Sequence, residues 1–495
     1  MQKMTMFLFQ FSFLLIFSCT GFQENTDDLA DQYGLTYLDQ LKPISSTDKE
    51  FSHFGVQFYG MPFHLQTEYD SIDVAYYLND IPVTAQAAAE LGLKWARVSV
   101  DWSVVEDNQG EFHWDLLDEI VNQLVDKKIE IYICLHGGHR VHTSFRPPVT
   151  AEELDAWEHY VRQVITRYSD RVDYWEIWNE GNSVWFWNNN PDAAEYMQLV
   201  RRTRMIIDEL DPGSKVLGGN TARLDLPFSA ELFEQGLADY IDVFTFHPYG
   251  HFPESNVRRI QFPIQTPHWY IPTDHQVDDL LAIVESTGKD IQVWQGECGY
   301  PSQMNGSGWN GTGPWSDEVQ SKWIMRRALV DLSFNSHVSC YFLMKEKPNN
   351  SRTNYNYKGL LRHADNSRKP AYFAYQNVIA ALDGRMTADR DHRAVVSMTA
   401  DGDFPGIHPR DVMTVLLHDE TERPFFSYWL ILRMQNNVQP GTADVTIEGV
   451  SFEEPVLVDL MSGRRYIVHD FSSNDGHTTF RNLPVADYPF IITER

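Results

Sequence analysis

The 495-residue chain has few cysteines and few basic residues, and its only long apolar run lies at the N-terminus. Four cysteines without a C-x-x-C pair exclude a disulfide framework and a cysteine-ligated zinc site. Cys134, Cys298 and Cys340 lie in apolar runs, so we expect them to be buried small side chains. Only 40 Lys and Arg oppose 69 Asp and Glu, and the resulting net charge of -29 disfavours nucleic acid as a partner.

Residues 1–18 form the one apolar segment that could enter a bilayer. It is too short for a stable transmembrane helix and is typical of a secretory signal. Because Ser18 and Cys19 follow the apolar stretch directly, the segment resembles a bacterial lipoprotein signal, which implies that Cys19 is lipidated. Plain secretion and a buried N-terminal helix are the alternatives. We predict an exported, lipid-anchored protein of the bacterial cell envelope, with a polar tether and lead-in over residues 19–52.

Residues 53–384 alternate short β-type runs with amphipathic helical patterns. Eight strands are predicted, at Gly55–Phe58, Trp95–Val100, Glu130–Leu135, Tyr174–Trp178, Lys215–Leu217, Val243–Phe246, Ile291–Trp294 and Ser339–Leu343. Eight βα units favour a closed (β/α)8 TIM barrel. The alternative, an open doubly wound sheet, normally has a Gly-rich turn after its first strand, and none is present. Residues 385–495 show strand patterns without helices and predict a smaller all-β sandwich domain.

Chemistry in such a barrel belongs at the carboxyl ends of the strands. Polar and aromatic residues occur at five of those ends, namely Arg97 with Trp102, His136, Asn179 with Glu180, His247 with Tyr249, and Glu297. Strands four and seven end on opposite sides of the mouth, so Glu180 and Glu297 can meet. Two carboxylates about 5–5.5 Å apart can cleave a glycosidic bond with retention of configuration.

These residues resemble the clan A glycoside hydrolases, which are retaining (β/α)8 enzymes. The shared pattern is an Asn-Glu closing strand four, a Glu closing strand seven, an Arg on strand two and a His-x-Tyr on strand six. The run from Trp114 to Tyr249 is most similar to family 39, in which a Trp-Asn-Glu follows a helix ending in Arg-Tyr, here Arg167-Tyr168. The segment Gly296 to Ser302 instead resembles endo-acting β-glucanase and galactanase families. The sequence departs from many relatives at strand eight, where the usual subsite Trp is absent.

Together the pattern and the resemblance predict a role for each residue. Glu180 would be the general acid/base, and Glu297 the nucleophile, kept ionised by Arg97 and hydrogen-bonded by Tyr249. Asn179 would bind the sugar 2-hydroxyl. The hydrogen-bonding residues of the innermost subsite would be His136 and His247. Trp102, Trp185 and Trp309 are predicted to bind substrate, because indole faces stack on sugar rings, although Trp185 and Trp309 could equally be hydrophobic plugs.

Other interpretations of the same residues remain open. Glu176 is expected to be an interior structural carboxylate, Arg97 could pair only with such an acid, and Tyr249 could be a packed core aromatic. The histidines could suggest a metal site, but they fall on separate strands. We predict a carbohydrate substrate, with no metal and no cofactor. A non-catalytic glycan-binding lipoprotein and a metal-dependent barrel hydrolase are the alternative functions, and the oligomeric state is left open.

Overall fold

The computed structural model describes ten segments of the chain: residues 28–60, 72–108, 110–187, 190–250, 252–257, 276–302, 316–348, 355–408, 411–474 and 476–495. The predicted signal segment, Cys19 and Trp309 lie outside these residues. No helix within the described segments is long and apolar enough to cross a membrane.

The first described residues fold as part of the C-terminal domain. Helix α1 spans Asp28–Tyr33 and strand β1 spans Thr36–Gln40. Strand β1 pairs antiparallel with Arg464–Ile467, near the end of the chain. Residues 36–40 fall within the predicted tether and lead-in of residues 19–52, and the structure places them in a sheet, with their backbone hydrogen-bonded to a strand of the β domain.

Eight parallel strands close into a barrel, as predicted, so the chain does not form an open sheet. They are β2 (Phe54–Gly60), β3 (Trp95–Asp101), β4 (Glu130–His136), β5 (Tyr174–Ile177), β6 (Lys215–Ala222), β7 (Val243–His247), β8 (Gln292–Cys298) and β9 (Ser339–Tyr341). Each strand pairs with the next one along the chain, and β9 pairs with β2 to close the barrel. Strands β5 and β8 are three positions apart in this ring, which places their carboxyl ends across the mouth from each other.

Helices connect and cover the barrel strands. They are α2 (Val74–Leu91), α3 (Trp102–Val105), α4 (Asp115–Asp126), α5 (Arg140–Thr143), α6 (Ala151–Tyr168), α7 (Ala193–Leu210), α8 (Leu226–Glu234), α9 (Gln276–Ser286), α10 (Asp317–Ser333) and α11 (Pro370–Ala381). Helix α6 begins with a capping box, in which Glu153 N–H donates to the Thr150 hydroxyl and the Glu153 carboxylate accepts from Thr150 N–H. A short strand pair, β10 (Lys347–Pro348) and β11 (Tyr355–Asn356), follows β9 at the barrel mouth.

The C-terminal domain consists of two antiparallel sheets. Its strands are β12 (Met386–Asp389), β13 (Ala394–Ala400), β14 (Val412–Asp419), β15 (Pro424–Leu430), β16 (Gly441–Glu448), β17 (Pro455–Asp459), β18 (Arg464–Ile467), β19 (Phe471–Asn474), β20 (His477–Val485) and β21 (Phe490–Glu494). Seven strands form one sheet in the order β1-β18-β17-β21-β15-β14-β12, and four form the other in the order β13-β16-β20-β19. The sheets meet where the buried Tyr428 hydroxyl donates to Pro484 O at 2.9 Å.

A buried ion pair joins the barrel to the β domain. Glu254, in the short 3₁₀ helix Pro253–Asn256 after β7, accepts two hydrogen bonds from Arg326 on α10, at 2.6 and 2.7 Å. Trp429 on β15 donates its indole N–H to the same carboxylate at 2.7 Å. Arg326 also donates to Leu432 O at 2.9 Å. Because Glu254 and Arg326 are fully buried, each depends on the other for charge compensation.

We expect Arg326→Met to lower the free energy of unfolding by about 3–5 kcal/mol, because it leaves the Glu254 carboxylate buried without its cation. The matched control is Arg162→Met, which removes an equally bidentate but exposed pair with Glu209 and should lower the free energy of unfolding far less, because solvent screens this pair. Urea denaturation of both variants measures the difference. Equal losses would contradict the role of the buried pair.

Candidate active site

Arg97 on β3 occupies the centre of the barrel mouth, with 1% of its side chain exposed. Its guanidinium donates to acceptors carried by or following four barrel strands, namely Gln57 (3.0 Å), Cys134 (3.3 Å), Glu176 (2.6 Å), Asn179 (2.8 Å) and Glu297 (2.7 Å). Burial alone would lower the pKa of Arg97, but its interactions with Cys134, Glu176 and Glu297 raise it well above the ordinary value. The site therefore holds a permanent positive charge.

Glu297, near the end of β8, receives a hydrogen bond on each carboxylate oxygen. Arg97 donates to Oε2 at 2.7 Å, and the Tyr249 hydroxyl donates to Oε1 at 2.6 Å. Burial raises the pKa of this carboxyl, but interactions with His247 and Arg97 and the Tyr249 hydrogen bond outweigh it and hold the pKa below its usual range. Glu297 is consequently ionised at neutral pH.

Glu180 is held at the end of β5 by an unusual backbone conformation. Trp178 and Glu180 both have positive φ angles, 66° and 50°, which residues other than glycine rarely adopt. The amide group of the fully buried Asn220 donates to the carbonyl oxygens of Ile177 and Trp178, at 2.8 and 2.9 Å. These bonds satisfy the carbonyls freed where the strand ends, and they fix the turn that directs Glu180 into the mouth.

The two predicted carboxylates are close neighbours in space. A carboxylate oxygen of Glu180, a carboxylate oxygen of Glu297 and a ring nitrogen of His247 all lie within 4.8 Å of one another. His247 Nδ1 is 3.0 Å from Glu180 Oε1. The surroundings of the two acids differ, because Glu297 is bonded by a cation and a phenol, whereas Glu180 contacts an imidazole.

Three of the predicted residues have polar atoms left for a ligand. Asn179 accepts from Arg97 through Oδ1, and its amide nitrogen has no hydrogen-bond partner in the described part of the chain. His136 Nε2 is buried and likewise unpartnered within the described segments. Burial, together with the positive charge of Arg97, lowers the pKa of His136 to about 3, so this ring is neutral. His247 Nε2 is a second buried atom without a described partner.

The prediction that Trp102 binds substrate is wrong. Its side chain is fully buried, its ring stacks between His142 and Tyr160, and its indole N–H donates to Glu106 at 2.5 Å. It belongs to the core beneath α3. Trp185, in the loop after β5, is 79% exposed and offers an open ring face.

Among the described residues, two groups of side chains have the spacing of metal ligands. In the group of Glu106, His139 and His142, both ring nitrogens of His139 already bond to backbone: Nδ1 accepts from the N–H groups of residues 141 and 142, and Nε2 contacts the carbonyls of residues 106 and 107. In the group of Glu180, His247 and Glu297, Arg97 and Tyr249 occupy both oxygens of Glu297. Each group thus has ligand atoms committed to hydrogen bonds within the protein.

Sequence reasoning missed the residues that support the site from below. Asn220 and Gln57 are interior polar residues of β6 and β2, and both contact residues of the site. Glu176 was expected to be an interior carboxylate, and it lies in the barrel interior between Arg97 and the Thr245 hydroxyl. A polar residue within an otherwise apolar barrel strand is the signal that would have identified Asn220 and Gln57.

Comparison with known proteins bears on this arrangement. The model for glycosyl hydrolases family 39 matches residues 85–455. A 6-phospho-beta-glucosidase of Clostridium longisporum is 32% identical over 104 residues, which cover 19% of this chain and 22% of that protein. An aryl-phospho-beta-D-glucosidase of Bacillus subtilis (strain 168) is 26% identical over 148 residues, 25% of this chain and 30% of that protein. The chain thus matches less than a third of the length of these curated relatives.

Solved structures agree with the fold over nearly the whole chain. A family 39 glycoside hydrolase from Bacteroides cellulosilyticus WH2 has a TM-score of 0.62 at 16% identity, covering 90% of this chain and 81% of that one. A monomeric beta-xylosidase from Caulobacter crescentus CB15 has a TM-score of 0.51 at 16% identity, covering 93% and 98%. Because the family model spans well over half of the sequence, the chain belongs to glycosyl hydrolases family 39.

Proposed function

We propose that the protein hydrolyses glycosidic bonds of oligosaccharides or polysaccharides by a retaining, two-step mechanism, with Glu297 as the nucleophile and Glu180 as the general acid/base. The observation that carries this proposal is the approach of the two carboxylates, whose oxygens lie within 4.8 Å. Retaining enzymes hold their carboxyl groups about 5–5.5 Å apart, whereas inverting enzymes need about 6.5–9.5 Å to admit a water molecule.

The different surroundings of the two acids suit these roles. Glu297 is ionised and is oriented through both oxygens by Arg97 and Tyr249, as a nucleophile requires. In the first step its carboxylate attacks the anomeric carbon while Glu180 gives a proton to the departing oxygen. In the second step Glu180 takes a proton from water, and the resulting oxygen nucleophile displaces Glu297 from the sugar. The amide nitrogen of Asn179, which bonds no described residue, is available to the 2-hydroxyl throughout.

The substrate sugar and the location of the enzyme belong to the same proposal. The curated relatives are named as phospho-β-glucosidases, and one structural neighbour is a β-xylosidase. β-Glucosides, 6-phospho-β-glucosides and β-xylosides are therefore the first substrates to test. Export and lipid attachment at Cys19 are proposed from the sequence alone, and so is a sugar-stacking role for the exposed Trp185.

We expect the first product formed from an aryl glycoside of this panel to keep the anomeric configuration of the substrate. Proton NMR during the first minutes of hydrolysis, before the free sugar mutarotates, measures this directly. A reaction without enzyme is the control for spontaneous cleavage. Early accumulation of the opposite anomer would contradict the double displacement, because it would require water to attack in place of Glu297.

We expect Glu180→Ala to lower turnover of unactivated oligosaccharides by about 10²–10⁴-fold, because a poor leaving group needs the proton that Glu180 supplies. With an aryl glycoside that has a good leaving group, the rate of the first step should fall far less in this variant. Sodium azide needs no deprotonation, so it should restore turnover and give a glycosyl azide of retained configuration.

Glu297→Ala is the matched variant for this experiment. It removes the nucleophile, so any azide adduct that it forms should have inverted configuration. If the turnover of Glu180→Ala fell by the same factor on both substrates and no azide adduct formed, the acid/base assignment would be wrong.

We expect Tyr249→Phe to move the acid limb of the pH profile of kcat/KM to higher pH. The Tyr249 hydrogen bond helps to keep the pKa of Glu297 low, and the reaction needs this carboxylate ionised, so its loss raises the pH at which activity disappears. Tyr37→Phe, at an exposed position on β1, is the control and should leave the profile unchanged. An acid limb that stayed in place would show that this hydroxyl does not act on Glu297.

A further inference from the structure

Two lysines beside the catalytic carboxylates have no role in the mechanism above. Lys347 begins β10, and Lys358 follows β11, so both belong to the excursion after the last barrel strand. The Lys358 carbonyl accepts from the Tyr341 hydroxyl at 2.8 Å and from the Gln320 amide at 3.1 Å. Its side chain packs on Gly299, where an added Cβ would lie 3.2 Å from Lys358 Cδ. Lys358 thus packs against a residue that lies two positions after Glu297 in the sequence.

Lys347 is fixed by the two charged residues before it. Lys345 forms a 2.6 Å ion pair with Asp80, and Glu346 forms a 3.0 Å ion pair with Lys369. All four of these side chains are buried. The backbone leading to Lys347 is therefore anchored on both sides, whereas Lys347 itself forms no ion pair with any described residue.

The two ammonium groups converge on the same aromatic ring. Lys347 Nζ lies 5.6 Å from the centre of the Phe342 ring, and Lys358 Nζ lies 5.7 Å from the same centre. Lys358 Nζ is also 5.5 Å from the ring of Tyr249, whose hydroxyl bonds the proposed nucleophile. Neither ammonium forms an ion pair within the part of the chain that the structure describes.

The surroundings of the two lysines change their pKa values in opposite directions. Burial lowers the pKa of both lysines, Glu297 raises it, and the positive charge of Lys358 lowers the pKa of Lys347 further. The net pKa of each stays below the ordinary value. Both side chains are half-buried, and neither ammonium group bonds an acid among the described residues, so both can reach a negative group of a bound ligand.

From this geometry we propose that Lys347 and Lys358 form a subsite for an anionic substituent, a carboxylate, phosphate or sulfate, on the sugar bound next to Glu180 and Glu297. The inference rests on the proposed function and assigns its substrate class as negatively charged glycosides. Aromatic rings within 5.7 Å of both ammonium groups favour the cations at these positions, from which each can donate charge-assisted hydrogen bonds to such a substituent.

The test compares 4-nitrophenyl β-D-glucuronide and 4-nitrophenyl 6-phospho-β-D-glucoside with their neutral parent, 4-nitrophenyl β-D-glucoside. We expect the wild-type kcat/KM to be at least tenfold higher for one of the charged substrates, and the preferred one distinguishes a carboxylate from a phosphate. Lys347→Met and Lys358→Met should each reduce this preference at least tenfold, and Lys358→Arg should restore part of it. Lys289→Met, which removes an exposed lysine at the opposite end of the barrel, should leave the preference intact.

Two outcomes would overturn the subsite. A higher wild-type kcat/KM for the neutral parent than for both charged substrates would show that the enzyme does not recognise an anionic substituent. If the lysine variants lost activity by the same factor on charged and neutral substrates, the lysines would only tune the catalytic carboxylates. In both cases hydrolysis by Glu180 and Glu297 would still stand.

Calorimetry tests the subsite without turnover, and so separates it from the proposed function. D-Glucuronate or D-glucose 6-phosphate should bind the wild-type protein at least tenfold more tightly than D-glucose, and Lys347→Met should remove the difference. Should no glycoside be hydrolysed while this preference persists, hydrolysis would be in doubt and the subsite would stand. Equal affinity for charged and neutral sugars would reject the subsite.

Discussion

A guanidinium that is 1% exposed cannot lose its proton, so the protein around Arg97 has to supply its counter-charge. Two carboxylates do so, Glu176 from the barrel interior and Glu297 from the mouth. Because Arg97 also donates to Asn179, one side chain sets the positions of a proposed nucleophile and of the residue before the proposed acid. The order of the active site therefore depends on the charge balance of one buried cation.

Much of this arrangement could be predicted from sequence, because it follows from strand periodicity. Once eight βα units are recognised, the rule that barrel strands end at the active site brings Arg97, Glu180 and Glu297 together without any knowledge of distances. The substrate-binding prediction for Trp102 was wrong because this rule does not distinguish a side chain that faces the barrel mouth from one that packs into the core at the start of α3. That difference depends on its partners His142 and Tyr160, which come from elsewhere in the chain.

Other features that the sequence did not predict arise from contacts between segments far apart in the chain. Strand β1 lies in a polar segment with no apolar alternation, and it becomes a strand only because Arg464–Ile467 offers a sheet edge. The boundary between barrel and β domain is blurred for a similar reason. Glu254 follows the strand that carries His247, yet it is fixed by Trp429 of the β domain, so the two units share one buried network. Patterns read along the chain do not report such contacts.

The pairing of β1 with β18 also has a consequence for the order in which the molecule is completed. Thr36 faces Ile467, so the first described strand has to wait for almost the whole polypeptide before its partner exists. Until then its backbone groups are open to mispairing, and the short length of β1 limits that hazard. Contacts between residues so distant in sequence form slowly. We therefore expect the pairing of β1 with β18 to be among the last steps of folding.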